Sequence, residues 1–345
     1  MAVRKQTDWR TKASELAELI PLDRIHPTVL AWTSATKLNP RWAVAFSGGA
    51  DSLAALLLIW AHWPGQRRRL TALHFNHRLR GAASDRDQQF CEQVARALKI
   101  RCIVGRWTDA RRDASEGEAR RARHEFFGTQ LKRLRTPVLW FGHQQDDIAE
   151  TLLMRLARGS GTAGLAAPRP VQTVSGRVHL RPLLTISKSE LTSLLSSLNI
   201  KWREDSTNRT AKFLRNRMRH DVISAWKKAN AGRDALAGAA LSRDLLDEDD
   251  VALDAWLDRL SPITNRGTLS LRKLNGVPRA VVRRALHRWI GSCGARVDLS
   301  RQAFAALLED VVTRTARRHS FGSAHFAVIG RTELRLEDVR RKVSN

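Results

Sequence analysis

Between residues 41 and 158, short unbroken apolar runs alternate with longer stretches in which apolar residues recur every three or four positions. The runs at 43–46, 70–75, 102–104 and 138–141 are too short for helices and predict buried strands, and the amphipathic stretches at 52–63, 85–98, 117–134 and 147–158 predict helices between them. Strands separated by helices need crossover connections, so the expected fold is α/β, a doubly wound parallel sheet with ligands at the carboxyl ends of its strands. Past this region a glycine-rich loop, 159–164, opens a segment in which Arg and Lys outnumber acids as far as 219. Ser187 with Glu190 three residues on predicts a capped helix over 187–198. The stretch 227–232 reads as a hinge, and the apolar spacing of Leu245, Leu246, Val251, Leu253, Trp256, Leu257 and Leu260 predicts a helix beyond it. Further helices at 279–290 and 301–312 and a β segment at 321–330 complete the expected organisation: an N-terminal helical extension over 1–40, the α/β domain over 41–226, and a small, mostly helical C-terminal domain over 227–345 with a short β end.

Composition narrows the partner. Sixty Lys and Arg against 34 Asp and Glu in 345 residues give a net charge of +26, which excludes an ordinary near-neutral surface and calls for a polyanion: RNA, DNA or anionic lipid. The longest apolar run, 53–61, is about half of what a bilayer crossing needs, so no membrane partner is expected. Asp8, Glu15 and Glu18 interrupt 1–22, which supports neither a secretory signal nor a transit peptide, and a cytoplasmic location is the expectation. The three cysteines, Cys91, Cys102 and Cys293, contain no C-x-x-C pair, so a zinc knuckle, an iron–sulfur cluster and a disulfide framework lack ligands.

The sharpest chemical signal is Ser47-Gly48-Gly49-Ala50-Asp51-Ser52, directly after one predicted strand and opening one predicted helix. Two glycines allow the backbone to turn its N–H groups onto an anion, the helix N-terminus adds partial positive charge, and the serines add hydroxyls. The loop lacks the lysine of G-x-x-x-x-G-K-[ST] and is not G-x-G-x-x-G. Asp51 would repel phosphate unless Mg2+ sat between them, which points to metal-bound pyrophosphate; a plain turn with a capping aspartate is the bland alternative. Asp147 sits at another strand's carboxyl end, where it and Asp51 could flank one metal, although Asp146 and Asp147 also suit an acidic first helical turn. Arg120 and Arg123 share one helical face and fit either a phosphate or nucleobase contact or a solvated basic surface, and Arg215 and Arg219, also on one face, fit either contacts to backbone phosphates or a flipped cytidine or surface salt bridges.

The hexapeptide resembles the signature of the PP-loop ATP pyrophosphatase superfamily. Further segments, in order, are His77-Arg78-Leu79-Arg80, Glu118-Ala119-Arg120-Arg121-Ala122-Arg123, Gly142-His143-Gln144-Gln145-Asp146-Asp147-Ile148-Ala149-Glu150-Thr151, Arg158-Gly159-Ser160-Gly161, Arg181-Pro182-Leu183-Leu184, Glu204-Asp205-Ser206-Thr207-Asn208 and Arg215-Asn216-Arg217-Met218-Arg219-His220. Together they resemble the tRNA(Ile)-lysidine synthase family, strongly over 41–221 and more weakly over 245–312. The resemblance implies a sheet of PP-loop ATP pyrophosphatase type and a ligase using ATP and Mg2+. Such a ligase adenylates the C2 oxygen of the anticodon wobble cytidine in the CAU-anticodon tRNA(Ile), and free L-lysine then displaces AMP, so that the tRNA reads AUA instead of AUG. It places catalytic roles on Asp51, Asp147, Asn208 and Arg219, ATP binding on Ser47, Gly48, Gly49, Ala50, Asp51 and Ser52, and possible Mg2+ ligation on Asp51 and Asp147. Contacts to tRNA or substrate fall on His77, Arg80, Arg120, Arg123, His143, Arg215 and Asn216. Gln144 stands where the family usually has a second histidine, which weakens an acid–base role there. A homodimer is allowed but not read from any residue. The competing readings are another PP-loop enzyme, such as a tRNA thiolase or a small-molecule ligase, and a non-catalytic RNA-binding module. Missing paired cysteines disfavour the thiolase, +26 disfavours a small-molecule ligase, and the intact loop with Asp51 and Asp147 disfavours the RNA-binding module.

Overall fold

The computed structural model describes residues 7–36, 40–108, 114–204, 214–230, 232–294, 299–322 and 325–338. The chain divides into two compact units, Met1–Leu245 and Leu246–Asn345. In the first, helices α1 (Trp9–Leu19) and α2 (Pro27–Ala35) precede an alternation of strand and helix: β1 (Trp42–Ala45), α3 (Ala50–His62), β2 (Leu70–Asn76), α4 (Ala82–Ala97), β3 (Arg101–Arg106), α5 (Glu116–Arg133), β4 (Val138–Trp140) and α6 (Gln145–Leu156). After the short α7 (Thr162–Leu165) come β5 (Val171–Val174), β6 (Arg177–Leu180), α8 (Lys188–Ser197), α9 (Leu214–Arg217), a π-helical turn at Met218–Ile223, and α10 (Ser224–Ala229).

Among the described residues six strands form one sheet in the order β3-β2-β1-β4-β6-β5, with every pairing parallel except that of β5 with β6. The period of two along the strands sorts the core. Trp42, Val44 and Ala72 turn to the face covered by α1, α3, α4 and α8, where Leu16, Leu53, Leu56, Val94 and Leu191 are buried. Ala43, Leu73 and Leu139 turn to the other face, against Phe127 and Leu131 of α5. Helices on both faces leave the central strands no wet side, and this is why they read as unbroken apolar runs instead of alternating ones. Trp42, Trp63 and Trp140 pack together with ring centroids 4.8–5.7 Å apart, accounting for part of the chain's tryptophan content.

The four predicted strands are present, and β5 and β6 add two that hydrophobic patterning did not find. Each has only four residues, two of them polar, too little for a periodic signal. Ser175 (φ 49°) and Gly176 (φ 73°) join them through the two left-handed positions of a tight hairpin.

The second unit takes in the later part of α11 (Ala235–Leu260), followed by β7 (Leu269–Ser270), α12 (Arg279–Ser292), α13 (Arg301–Thr313), β8 (Arg318–Ser320), β9 (His325–Ile329) and β10 (Glu333–Asp338). The expected β end is part of a four-stranded antiparallel sheet, β7-β10-β9-β8. Its core joins Leu257, Val281, Leu286, Trp289, Leu307, Phe321, Ile329 and Leu334. Among the described residues, no helix is long and apolar enough to cross a membrane.

Candidate active site at the strand ends

β1 ends at Ala45, and the chain reaches α3 through Ser47, Gly48 and Gly49. Gly48 sits at φ +87°, and a Cβ there would lie 3.1 Å from Cys91 Sγ, 3.2 Å from the Phe90 ring and 3.3 Å from Arg203, so only glycine suits the turn. Ser52 Oγ ties the loop together: it accepts the Ser47 N–H at 3.2 Å, donates to the Gly49 carbonyl at 3.1 Å and lies 3.0 Å from Ser47 Oγ. The N-cap residue Gly49 provides no side chain to cap α3, which leaves first-turn N–H groups able to meet an anion.

β4 neighbours β1 in the sheet, and its carboxyl end meets the start of α3. The contact is so close that a Cβ on Gly142 would fall 2.4 Å from the Asp51 carbonyl oxygen and 2.9 Å from Ser52 Cα. Asp51 and Asp147 therefore share one site. Burial raises the Asp51 carboxyl, Lys188 opposes that rise, and the charge of Asp147 reinforces it. Lys188 Nζ reaches both Asp51 oxygens, at 2.6 and 2.7 Å. Asp147 is likewise buried, but His143, Arg215 and the Gln144 N–H outweigh the burial and hold its carboxyl below the ordinary range.

Gln144 is the N-cap of α6. Its buried amide oxygen accepts the Asp146 N–H at 2.6 Å, and its own N–H donates to Asp147 Oδ2 at 3.0 Å. That structural task accounts for Gln144 without acid–base chemistry. One turn further, the Glu150 side chain is fully buried and accepts from Arg215 Nε and Arg219 Nε, each at 2.6 Å, while Arg215 also pairs with Asp147. Arg215 lies on α9 and Arg219 on the π-helical turn, with buried Asn216 between them.

A second basic group adjoins this one. Burial and the nearby charges of Arg120 and Arg215 push Arg123 down to about 10, and burial with Arg215 lowers Arg120 in the same way. Neither has a hydrogen-bonded or ion-paired partner among the described residues, and Arg123 Nε is buried without an acceptor. Arg181 donates to His143 Nδ1 at 3.2 Å and to the Arg169 carbonyl at 2.7 Å. Burial pushes His143 down to about 3 despite the attraction of Asp147, leaving a neutral imidazole at neutral pH.

His77 and Arg80 follow β2. The His77 ring packs against Phe75 and Trp107, with centroids 4.8 and 6.2 Å away. Arg80 pairs with Asp87 at 2.6 Å, and Asp87 also holds Arg203, whose N–H donates to the Gly48 carbonyl at 2.9 Å. Arg80 thus reaches the loop through two intermediaries. Asn208 lies outside the described residues. The sequence reading assigned no role to Gly142, Glu150, Arg181, Lys188 or Arg203. Lys188 did carry a signal: a cation as the first residue of a helix opposes the dipole and implies a partner.

For Mg2+, no group of three or more His, Cys, Asp or Glu side chains is placed to hold an ion among the described residues. Asp51 and Asp147 are two carboxylates, a set that fits Mg2+ when phosphate oxygens and water supply the remaining ligands.

The parallel sheet, the glycine loop after β1 and the two carboxylates at neighbouring strand ends define an α/β protein of nucleotide-binding type whose loop lacks the lysine of G-x-x-x-x-G-K-[ST] proteins. Residues 25–226, more than half of the chain, match the PP-loop domain, and the chain belongs to that family. Residues 269–340 match the TilS substrate binding domain. The tRNA(Ile)-lysidine synthase of Geobacter sulfurreducens is 34% identical over 300 residues, covering 83% of this chain and 62% of that protein. The enzyme of the same name from Solibacter usitatus is 42% identical over 183 residues, covering 53% of this chain and 40% of that protein. The chain thus spans less than two thirds of the length of these relatives, and they bear out the resemblance drawn from its motifs. The U34-tRNA thiolase NcsA from Methanococcus maripaludis superposes with a TM-score of 0.50 at 18% identity, over 69% of this chain and 79% of that one, a likeness of fold alone.

Proposed function

We propose that this protein is an ATP-dependent ligase that joins free L-lysine to C2 of the wobble cytidine in a CAU-anticodon tRNA(Ile), forming lysidine. One observation carries the reading: a glycine loop and a cluster of arginines, from part-buried Arg123, Arg215 and Arg219 to buried Arg181, lie near adjoining strand ends, in a chain similar to tRNA(Ile)-lysidine synthases. The chemistry belongs to 41–226 and tRNA recognition to 227–345, with 1–40 as a helical extension. The reaction runs in the cytoplasm.

In the first step the cytidine C2 oxygen attacks the α-phosphorus of ATP and pyrophosphate leaves. In the second the lysine ε-amine attacks C2, and AMP departs with that oxygen. The cradle's N–H groups and the α3 N-terminus bind the phosphates. Asp51 and Asp147 would hold Mg2+, which when bound neutralises the departing pyrophosphate. Arg120 and Arg123 have no hydrogen-bonded or ion-paired partner among the described residues and suit the phosphate or the extruded base, whereas Arg215 and Arg219 are engaged by Glu150 and shape the site's floor. With Nδ1 accepting from Arg181, neutral His143 carries its proton on Nε2, so there it can serve as a hydrogen-bond donor to substrate and not as a base.

Sulfur delivery is the chemical competitor, and the cysteines do not favour it. Burial raises the Cys91 thiol and pushes Cys102 up to about 12, and Cys293 belongs to the second unit. The test is to incubate the protein with Mg-ATP, isotope-labelled lysine and unmodified tRNA, then weigh the nucleosides. Labelled cytidine from the CAU tRNA alone is expected. Sulfur incorporation, or label in every tRNA, overturns the reading.

A further inference from the structure

The cradle lacks the lysine that a G-x-x-x-x-G-K-[ST] loop supplies from within itself, yet an ammonium stands at its mouth. Lys188 comes from 137 residues downstream, as the first residue of α8. Its placement is built. Gln144 and Leu183 form a parallel bridge, the Gln145 N–H donates to the Ile186 carbonyl at 2.9 Å, and the Lys188 N–H donates to Asp146 Oδ2 at 2.8 Å. The segment that ends in Lys188 is thereby strapped to the start of α6, beside the two carboxylates. α8 also packs its buried Leu191 and Leu195 into the core that holds α3. The backbone is fixed and the flexible side chain reaches out, 40% exposed, to a carboxylate that is 30% exposed, so both charges are open to an incoming ligand.

We propose that Lys188 is the cradle's missing cation: it holds Asp51 until nucleotide arrives, then transfers its ammonium to a phosphate oxygen of Mg-ATP and releases the Asp51 carboxylate towards the metal. An ammonium bonded to both oxygens of a carboxylate competes with a divalent cation for them, while a triphosphate offers it an acceptor of higher charge. This rests on the reading of the loop as the Mg-ATP site.

The experiment measures binding of a non-hydrolysable ATP analogue with Mg2+ by calorimetry, and of Mn2+ alone by electron paramagnetic resonance. Wild type is compared with Lys188→Met, Lys188→Gln and Lys188→Arg, all checked for native circular dichroism. Losing a charge-assisted bond should weaken the analogue by roughly ten- to a hundredfold in the Met and Gln variants, with Arg retaining most of the affinity. Mn2+ alone should bind more tightly to the Met and Gln variants than to wild type, because Asp51 has lost its competitor. The two changes run in opposite directions, which misfolding cannot produce, and having two neutral variants covers failure of either to fold. Analogue affinity unchanged or tighter in folded Lys188→Met or Lys188→Gln, or unchanged Mn2+ binding, overturns the proposal. A wild-type protein that binds no analogue overturns the reading of the loop itself.

Discussion

Asp51, Glu150 and Arg123 are all partly or wholly buried charges, but their partners give them different consequences on replacement. Asp51 is opposed by Lys188 and sits at the cradle, so Asp51→Ala should abolish ATP–pyrophosphate exchange while a gel shift shows tRNA still bound. Normal adenylation in that variant would remove the loop from the chemistry. Glu150 neutralises two arginines from a fully buried position, and Glu150→Ala leaves both guanidiniums uncompensated. A loss of about 3–5 kcal/mol in urea unfolding is expected; a change under about 1 kcal/mol would mean that the arginines repartner. Arg123 is the reverse case, a part-buried cation with no hydrogen-bonded or ion-paired partner among the described residues, so Arg123→Met should leave stability unchanged or raise it and yet lower turnover on tRNA. A variant that unfolds more easily would show that Arg123 supports the fold and not the substrate.

At the scale of elements, the site depends on how closely two helix starts approach. α3 follows β1 and α6 follows β4, and parallel pairing of those strands brings their carboxyl ends to one level, with Gly142 filling the contact. Gly142→Ala places a methyl against backbone, which no rotamer change relieves, so α3 and the 142–147 turn must separate. Nucleotide affinity should fall at least tenfold, read by the same calorimetry as above, while far-ultraviolet circular dichroism stays near native. Wild-type affinity would mean that the two turns move apart without harm. In the second unit the elements are organised by charge. Asp250, Asp254 and Asp258, four apart on α11, face Arg284 and Arg288 on α12 in a ladder of ion pairs. That ladder gives the acidic run after Leu246 a structural role in an otherwise basic chain.

For the molecule as a whole, charge leads to two predictions, one on salt and one on pH. A net +26 predicts tRNA affinity that falls steeply with salt, because each neutralised phosphate releases condensed counterions, and a flat log–log plot would remove the polyanion argument. Arg215→Ala should alter that slope by less than about one unit, since Asp147 and Glu150 already neutralise its guanidinium. Stability should depend on the histidines around Arg181. Burial and then the neighbouring arginines push His124 and His179 down to about 4, and burial pushes His143 to about 3. Unfolded histidines take up protons near about pH 6.5, so between there and about pH 4 the unfolded chain binds more protons than the folded one. Stability is then complete above about pH 6.5 and declines as pH falls. Thermal unfolding should show a lower midpoint at about pH 5 than at about pH 7.5; equal midpoints would mean that these imidazoles charge in place.

The sequence by itself determined what depends on near neighbours. The apolar runs marked the first four strands, and the amphipathic stretches between them marked the helices. Ser187 and Glu190 marked a capped helix start, and the glycines of Ser47–Ser52 marked a strand–loop–helix turn, because a turn, a cap and a helix dipole are all made within a few residues. The excess of Lys and Arg pointed to a polyanion for the same reason, since counting charge needs no geometry. The tertiary structure decided which distant residues meet. Nothing local says that Lys188 lies on Asp51, that Gly142 must be bare because α3 begins against it, or that Arg215 pairs with Glu150 and Asp147. The short β5 and β6 likewise gain their place from pairing beside β4, not from their own pattern. These contacts follow from strand order, which sets the helix starts side by side, and in a parallel sheet that order joins residues far apart in the chain.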